Sequence, residues 1–96
     1  MPTPPITIAS LRLRLYVSGN APNSRRAIAN AKAICTAHFA SRHDLQIIDI
    51  LDDPDMALAD GVVVSPTLLK LAPLPTARVV GDLSDTTRVL EALSIT

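Results

Sequence analysis

Aromatic side chains are nearly missing: the 96 residues hold one tyrosine, one phenylalanine and no tryptophan. The core must therefore be aliphatic. A platform for single-stranded nucleic acid, which stacks bases on aromatic rings, is not expected. A single cysteine excludes an internal disulfide and any multi-cysteine metal site. The formal net charge is zero, and no run of about 18 apolar residues reads as a membrane span. "MPTPPITIAS" lacks both a basic stretch and a long apolar stretch. It reads as a flexible N-terminal arm over residues 1–10, not as a signal peptide, and the expected location is cytoplasmic. Residues 11–96 then form a single small domain, for which a hydrophobic content of 48% is sufficient.

Acid is absent from the first half of the chain. Residues 1–43 hold Arg12, Arg14, Arg25, Arg26, Lys32 and Arg42 and no carboxylate, whereas residues 44–96 hold Lys70, Arg78 and Arg88 against all nine acids. Such asymmetry marks an electrostatic binding surface, or two halves that neutralise each other once folded.

What is present is a sequence of short, well-punctuated elements. "LRLRLYVS" alternates strictly: Leu11, Leu13, Leu15 and Val17 point one way, Arg12, Arg14 and Tyr16 the other, which predicts a strand with one apolar face. "GNAPNS" is a turn. "SRRAIANAKAICTAHFA" is Ala-rich and predicts a helix with Ile28, Ala31, Cys35 and Phe39 on its apolar stripe, flanked by Ala27 and Ile34. "LQIIDIL" (Leu45 to Leu51) has strand length. "DDPDMALADG" predicts a short helix closed by Gly61. In "VVVSPTLLKL" the valine run and "LLKL" both suit strands, yet Pro66 cannot sit inside a paired strand. It ends one element and opens another, or is a cis proline at a strand start. "APLPT" is a turn, "ARVVG" a short strand, and "SDTTRVLEAL" a helix with Ser84 as expected N-cap.

The predicted order is β-α-β-α-β-β-α. The first two strands, joined through a helix, should run parallel, and the last two antiparallel. This α/β order with a mixed sheet is similar to that of thioredoxin-like domains. In that architecture "PT" opens the third strand, and Pro66 is a structural cis proline facing the first helix's N-terminus.

Little catalytic chemistry remains. Thioredoxin-like enzymes carry a thiol where this chain reads "VSGNAPNSRR", and Cys35 lies deep in the helix on its apolar stripe, as a buried structural thiol does. His38 and His43 lack a third ligand of evident spacing, and Asp52, Asp53 and Asp55 lack the Gly and Glu of a calcium loop. No cofactor, metal or catalytic residue is expected. Ser18 or Ser24 is the candidate of another class: a hydroxyl that would serve glutathione, as in the thioredoxin-like domains of glutathione transferases. Arg25 and Arg26 are placed in the helix's first turn, where cations oppose its dipole at about 0.3–1 kcal/mol each. Either they face an acidic partner or they reach into solvent. Lys70 interrupts an apolar run, which implies an open face, or an edge strand that Lys protects from sheet-to-sheet association. Asp82 reads as a turn residue.

The stretches "LRLYVSGNAPNSRRAI", "IIDILDDPDMA", "SPTLLKLAPLP" and "RVVGDLSDTTRVLEAL" together resemble the KaiB family of the bacterial circadian clock. The resemblance runs from Leu13 to about Leu93. It implies a non-enzymatic binding protein that docks on the hexameric ATPase KaiC and regulates its phosphorylation and ATPase cycle. It also implies two folds, a thioredoxin-like monomer that binds KaiC and a tetrameric ground state with a family-specific α+β arrangement. A homo-oligomer, dimer or tetramer, is then expected in the ground state, with no nucleic acid or membrane as partner. Lys70, Arg78 and Arg26 match basic positions of the family pattern, and with Arg25 they are the expected partner-binding residues. The departures are Leu74 within the triple proline, Ala77 in place of an arginine and Gly61 in place of a lysine. They leave room for a stress-response or signalling homologue outside a full clock.

Overall fold

The computed structural model describes residues 11–93; the expected arm over 1–10 lies outside them. Seven elements follow in chain order: β1 (Leu11–Val17), α1 (Pro22–Phe39), β2 (His43–Asp49), α2 (Pro54–Ala59), β3 (Thr67–Ala72), β4 (Ala77–Val80) and α3 (Thr86–Ala92). The strands form one sheet in the order β2-β1-β3-β4. β1 pairs parallel with β2, antiparallel with β3, and β3 antiparallel with β4. The order and strand directions are those expected, and α3 is helical, so this is the thioredoxin-like arrangement and not the tetrameric alternative.

The alternation of β1 sorts its side chains between two cores. Leu11, Leu13, Leu15 and Val17 join Ala27, Ala31, Ile34 and Cys35 of α1, Leu68, Val79 and Val89 of α3 in the larger cluster. On the other side Tyr16 packs with Ile48, Ala57, Val62 and Leu69, under α2. The strand's second face is therefore not a polar surface. Tyr16 is fully buried and Arg14 half-buried, because α2 covers that side. Alternation reports what one face needs and is silent on what covers the other.

Several local expectations shift. α1 begins at Pro22, a residue type suited to the first helical position, and has no side-chain cap. Arg25 is thus the helix's fourth residue and Arg26 its fifth, past the region where the dipole acts most strongly. β2 spans His43–Asp49, earlier than the apolar run alone suggests. The valine run is no strand: Val62 is buried in a loop, while Val63 and Val64 are exposed. The N-cap of α3 is Asp85, whose carboxylate accepts from the Arg88 N–H at 3.1 Å, and not Ser84. α2 behaves as expected: Asp53 caps it, accepting from Met56 N–H at 3.2 Å, and Gly61 follows its end at φ +69°. The Ser65–Pro66 bond is cis, as are Ala72–Pro73 and Leu74–Pro75.

Candidate partner-binding surface

The four expected contact residues do not form one patch. Arg25 is exposed on the first turns of α1 and enters no ion pair among the described residues. Arg26, also exposed, is engaged: its Nε lies 3.4 Å from the Asp82 carboxylate, and its guanidinium donates to Asn23 Oδ1. Asn30 Nδ2 donates to the Asp82 carbonyl at 2.8 Å, which ties the same helix to the loop before α3. The Ser84 hydroxyl and N–H, with help from Arg26, hold the Asp82 carboxyl below its ordinary range. Asp82 is a turn residue as expected, and it also fixes an arginine.

Arg78 stands on the α2 side of the sheet. Its Nη1 donates to the Gly61 carbonyl at 3.0 Å and its Nη2 to the Asp60 carbonyl at 3.1 Å. The expectation for Lys70 needs correction. It is 1% exposed, and β3 is an inner strand of the sheet, between β1 and β4. Strand alternation puts it on the side of Leu68, whose cluster includes α1 and α3. Lys70 is thus no edge-strand guard, and in this arrangement its side chain is not part of the surface.

At the other expected position, the turn before α1, Ser18 Oγ lies 2.5 Å from Ser65 Oγ, next to the cis Pro66. The Ser18 N–H donates to Ser24 Oγ at 3.0 Å. The turn is closed by serines instead of a thiol. Cys35 is buried in α1, and burial raises its pKa. Such a thiol is a poor nucleophile. Among the described residues no group of His, Cys, Asp and Glu has metal-binding geometry, and no helix is long and apolar enough to cross a membrane.

The most strongly coupled polar cluster, which no sequence motif announces, sits beneath α2. Asp60 Oδ2 accepts from Arg14 Nη1 at 2.8 Å and from Tyr16 Oη at 2.5 Å. Arg14 Nε also reaches Gln46 Oε1 of β2 at 3.2 Å. The Tyr16 hydroxyl has a second acceptor, the Met56 carbonyl, at 3.1 Å. It has one proton, and the shorter contact to the carboxylate is the dominant bond. Hydrogen bonds from Tyr16 and Arg14 hold the Asp60 carboxyl below its usual range. Burial, followed by the bond to Asp60, pushes the Tyr16 phenol up to about 12. Both described ion pairs, Arg14–Asp60 and Arg26–Asp82, join a cation of the first half to an acid of the second. Part of the charge asymmetry is thereby neutralised inside the fold. A groove of about 490 Å³ opens beside the cluster, lined by Ala59, Asp60, Leu69, Leu71, Thr76 and Arg78 among others.

Comparison with known proteins adds relatives to this geometry. The KaiB domain family model matches residues 14–95. The circadian clock oscillator protein KaiB of Synechococcus elongatus is 45% identical over 83 residues, which cover 86% of this chain and 81% of the relative. The circadian clock protein KaiB3 of a Synechocystis strain is 42% identical over the same share of each. Among solved structures, the N-terminal domain of Synechococcus elongatus SasA superposes with a TM-score of 0.75 at 28% identity, covering 97% of this chain and 91% of that domain. The Drosophila thioredoxin Deadhead superposes with a TM-score of 0.73 at 15% identity, covering 91% of this chain and 84% of that one. The thioredoxin likeness is one of fold alone.

Proposed function

Since the chain belongs to the KaiB family, we propose that it is a non-enzymatic regulatory protein that docks on a KaiC-type hexameric ATPase and modulates its phosphorylation and ATPase cycle. The observation that carries this reading is the 45% identity to circadian clock oscillator proteins across 86% of the chain. The likeness to the N-terminal domain of SasA, from the same organism as one of those relatives, agrees with it. On this reading the docking state is the thioredoxin-like monomer, and a homo-oligomeric ground state with a rearranged second half stands in equilibrium with it, in the cytoplasm.

The docking contacts proposed are Arg25, Arg26 and Arg78. Arg25 is free to meet an acidic partner, and Arg26 and Arg78 would exchange or share their present acceptors. Lys70, at 1% exposure, acts through the fold.

The test is co-elution. The full chain, mixed with a KaiC hexamer, should shift to the hexamer's elution volume in size exclusion with light scattering and alter its ATP hydrolysis. A chain that stays at its own volume at tens of micromolar, with unchanged hydrolysis, sinks the reading. One feature favours a second reading, a signalling or stress-response homologue outside a full clock: Gly61 and Ala77 stand where the resemblance places basic residues. A pull-down from its own cells that recovers a different ATPase, and no KaiC-type one, would select it. The glutathione reading rests on Ser18, whose hydroxyl already bonds Ser65. Retention on immobilised glutathione that is lost in Ser18→Ala would revive it.

A further inference from the structure

α2 has little apolar anchoring of its own. Four of its six residues are exposed and Ala57 alone is fully buried. A helix of that length does not sustain itself in water, so its seating must come from tertiary contacts. By contrast, α1 is 18 residues long and buries five of them. On the side of β3 and β4 the groove leaves α2 without close packing.

Polar contacts supply what packing does not, and they converge on one residue. Asp60 is the residue after α2. Its carboxylate receives Arg14 and Tyr16 from β1, at 2.8 and 2.5 Å. Its carbonyl receives Arg78 from β4 at 3.1 Å, with the adjoining Gly61 carbonyl at 3.0 Å. β4 is four residues long and, among the described residues, is an edge of the sheet that pairs only with β3. If Asp60 leaves the Arg14–Tyr16 pocket, Arg78 loses both acceptors, and α2 and β4 lose their shared tie together.

We propose that Asp60 is a latch: one residue that keeps α2 and β4 docked on the sheet, and whose release opens the α2-to-β4 segment while β1, α1 and β2 stay folded. The structural latch stands on these contacts alone. Its use, setting how much of the chain is in the docking state, rests on the fold-changing reading above.

Hydrogen–deuterium exchange of the full chain, read by mass spectrometry, tests this without any partner. In Asp60→Asn, amides in residues 54–61 and 77–80 should exchange about tenfold faster, the effect of losing a charge-assisted hydrogen bond. Those of α1, β1 and β2 should stay as in the parent. Tyr16→Phe removes one donor and keeps the ring, so the same two segments should accelerate together by a smaller factor. Should Asp60→Asn fail to fold, Tyr16→Phe carries the test. Unchanged exchange in residues 54–61, acceleration there without 77–80, or equal acceleration everywhere would each overturn the latch. KaiC-type co-elution is scored separately. A chain that shows the segmental pattern but never docks refutes the function and keeps the latch. One that docks without the pattern refutes the latch and keeps the function.

Discussion

The hydroxyl of Tyr16, in the middle of the sheet, donates to the carboxylate of Asp60 at 2.5 Å, and so joins the first strand to the residue that ends α2. Tyr16 is also the chain's single tyrosine, and there is no tryptophan. Phenolate absorbance near 295 nm therefore reports on this one contact.

In the native protein the phenolate should appear with a midpoint near 12, against 10.0 for a free phenol. Asp60→Asn removes the negative charge but not the burial, so the midpoint should fall and stay above 10. Folding favours the neutral phenol, so this contribution to stability is complete below pH 10 and declines between pH 10 and about 12. A native midpoint at 10 would show that Tyr16 is neither buried nor bonded to Asp60 in solution.

Acid should act through the other partner. The Asp60 carboxyl is held below 3.8 in the folded chain by Tyr16 and Arg14. Its contribution is present above that value and is lost as pH falls through the folded one. Urea unfolding of the parent and Asp60→Asn should differ by about 1.5–3 kcal/mol at neutral pH. The gap should stay constant down to about pH 5 and begin to narrow as pH falls below about 4. A gap that does not narrow in acid would contradict the assignment.

Gly61→Ala should lower stability by roughly 1 kcal/mol, since an L side chain is strained at φ +69°. Crowding is not the cause, because the nearest atom to the added methyl, Arg78 Nη2, is 3.8 Å away. Chemical unfolding measures it; an unchanged midpoint would mean that the loop relaxes to a negative φ.

Charge reversal should separate surface from interior. Arg25→Glu reverses a charge on the exposed fourth residue of α1, where the helix dipole acts only weakly. Stability should hold or rise, while docking to a KaiC-type hexamer weakens about tenfold or more. Lys70→Glu should cost more than about 2 kcal/mol of stability, because the site is 1% exposed. Equal stability of both variants would show that Lys70 is not buried in solution.

The strands and helices were legible because their periods are strong. Leu11, Leu13, Leu15 and Val17 repeat every second residue, and Ala27, Ala31, Ile34 and Cys35 recur at helical spacing. Parallel pairing of β1 and β2 followed from the helix between them. The α2 side was not legible. The string "RLYV" is the same whether Tyr16 faces water or a short helix, and nothing local ties Asp60 to a strand more than forty residues earlier. Lys70 misled because one charge in an apolar run fits an open face as well as a buried, partnered site. Ser84 and Asp85 are both competent caps, adjacent in sequence, and only the backbone decides between them. Of the expected contact residues, exposure supports Arg25, Arg26 and Arg78 as candidates, and the pattern that suggested them could not say that they lie on two sides of the sheet.

The position of β1 has a consequence for how the chain is made. It is an inner strand, yet its two neighbours become available at different times: β2 follows after one helix, while β3 comes only after α2 and the loop beyond it. During translation, β1–α1–β2 can assemble as a right-handed unit while one whole edge of β1, from Arg12 to Tyr16, has no partner. An unpaired apolar edge is where nascent chains associate wrongly. A chain cut between Asp49 and Thr67 would therefore expose that edge of β1 as a site of association.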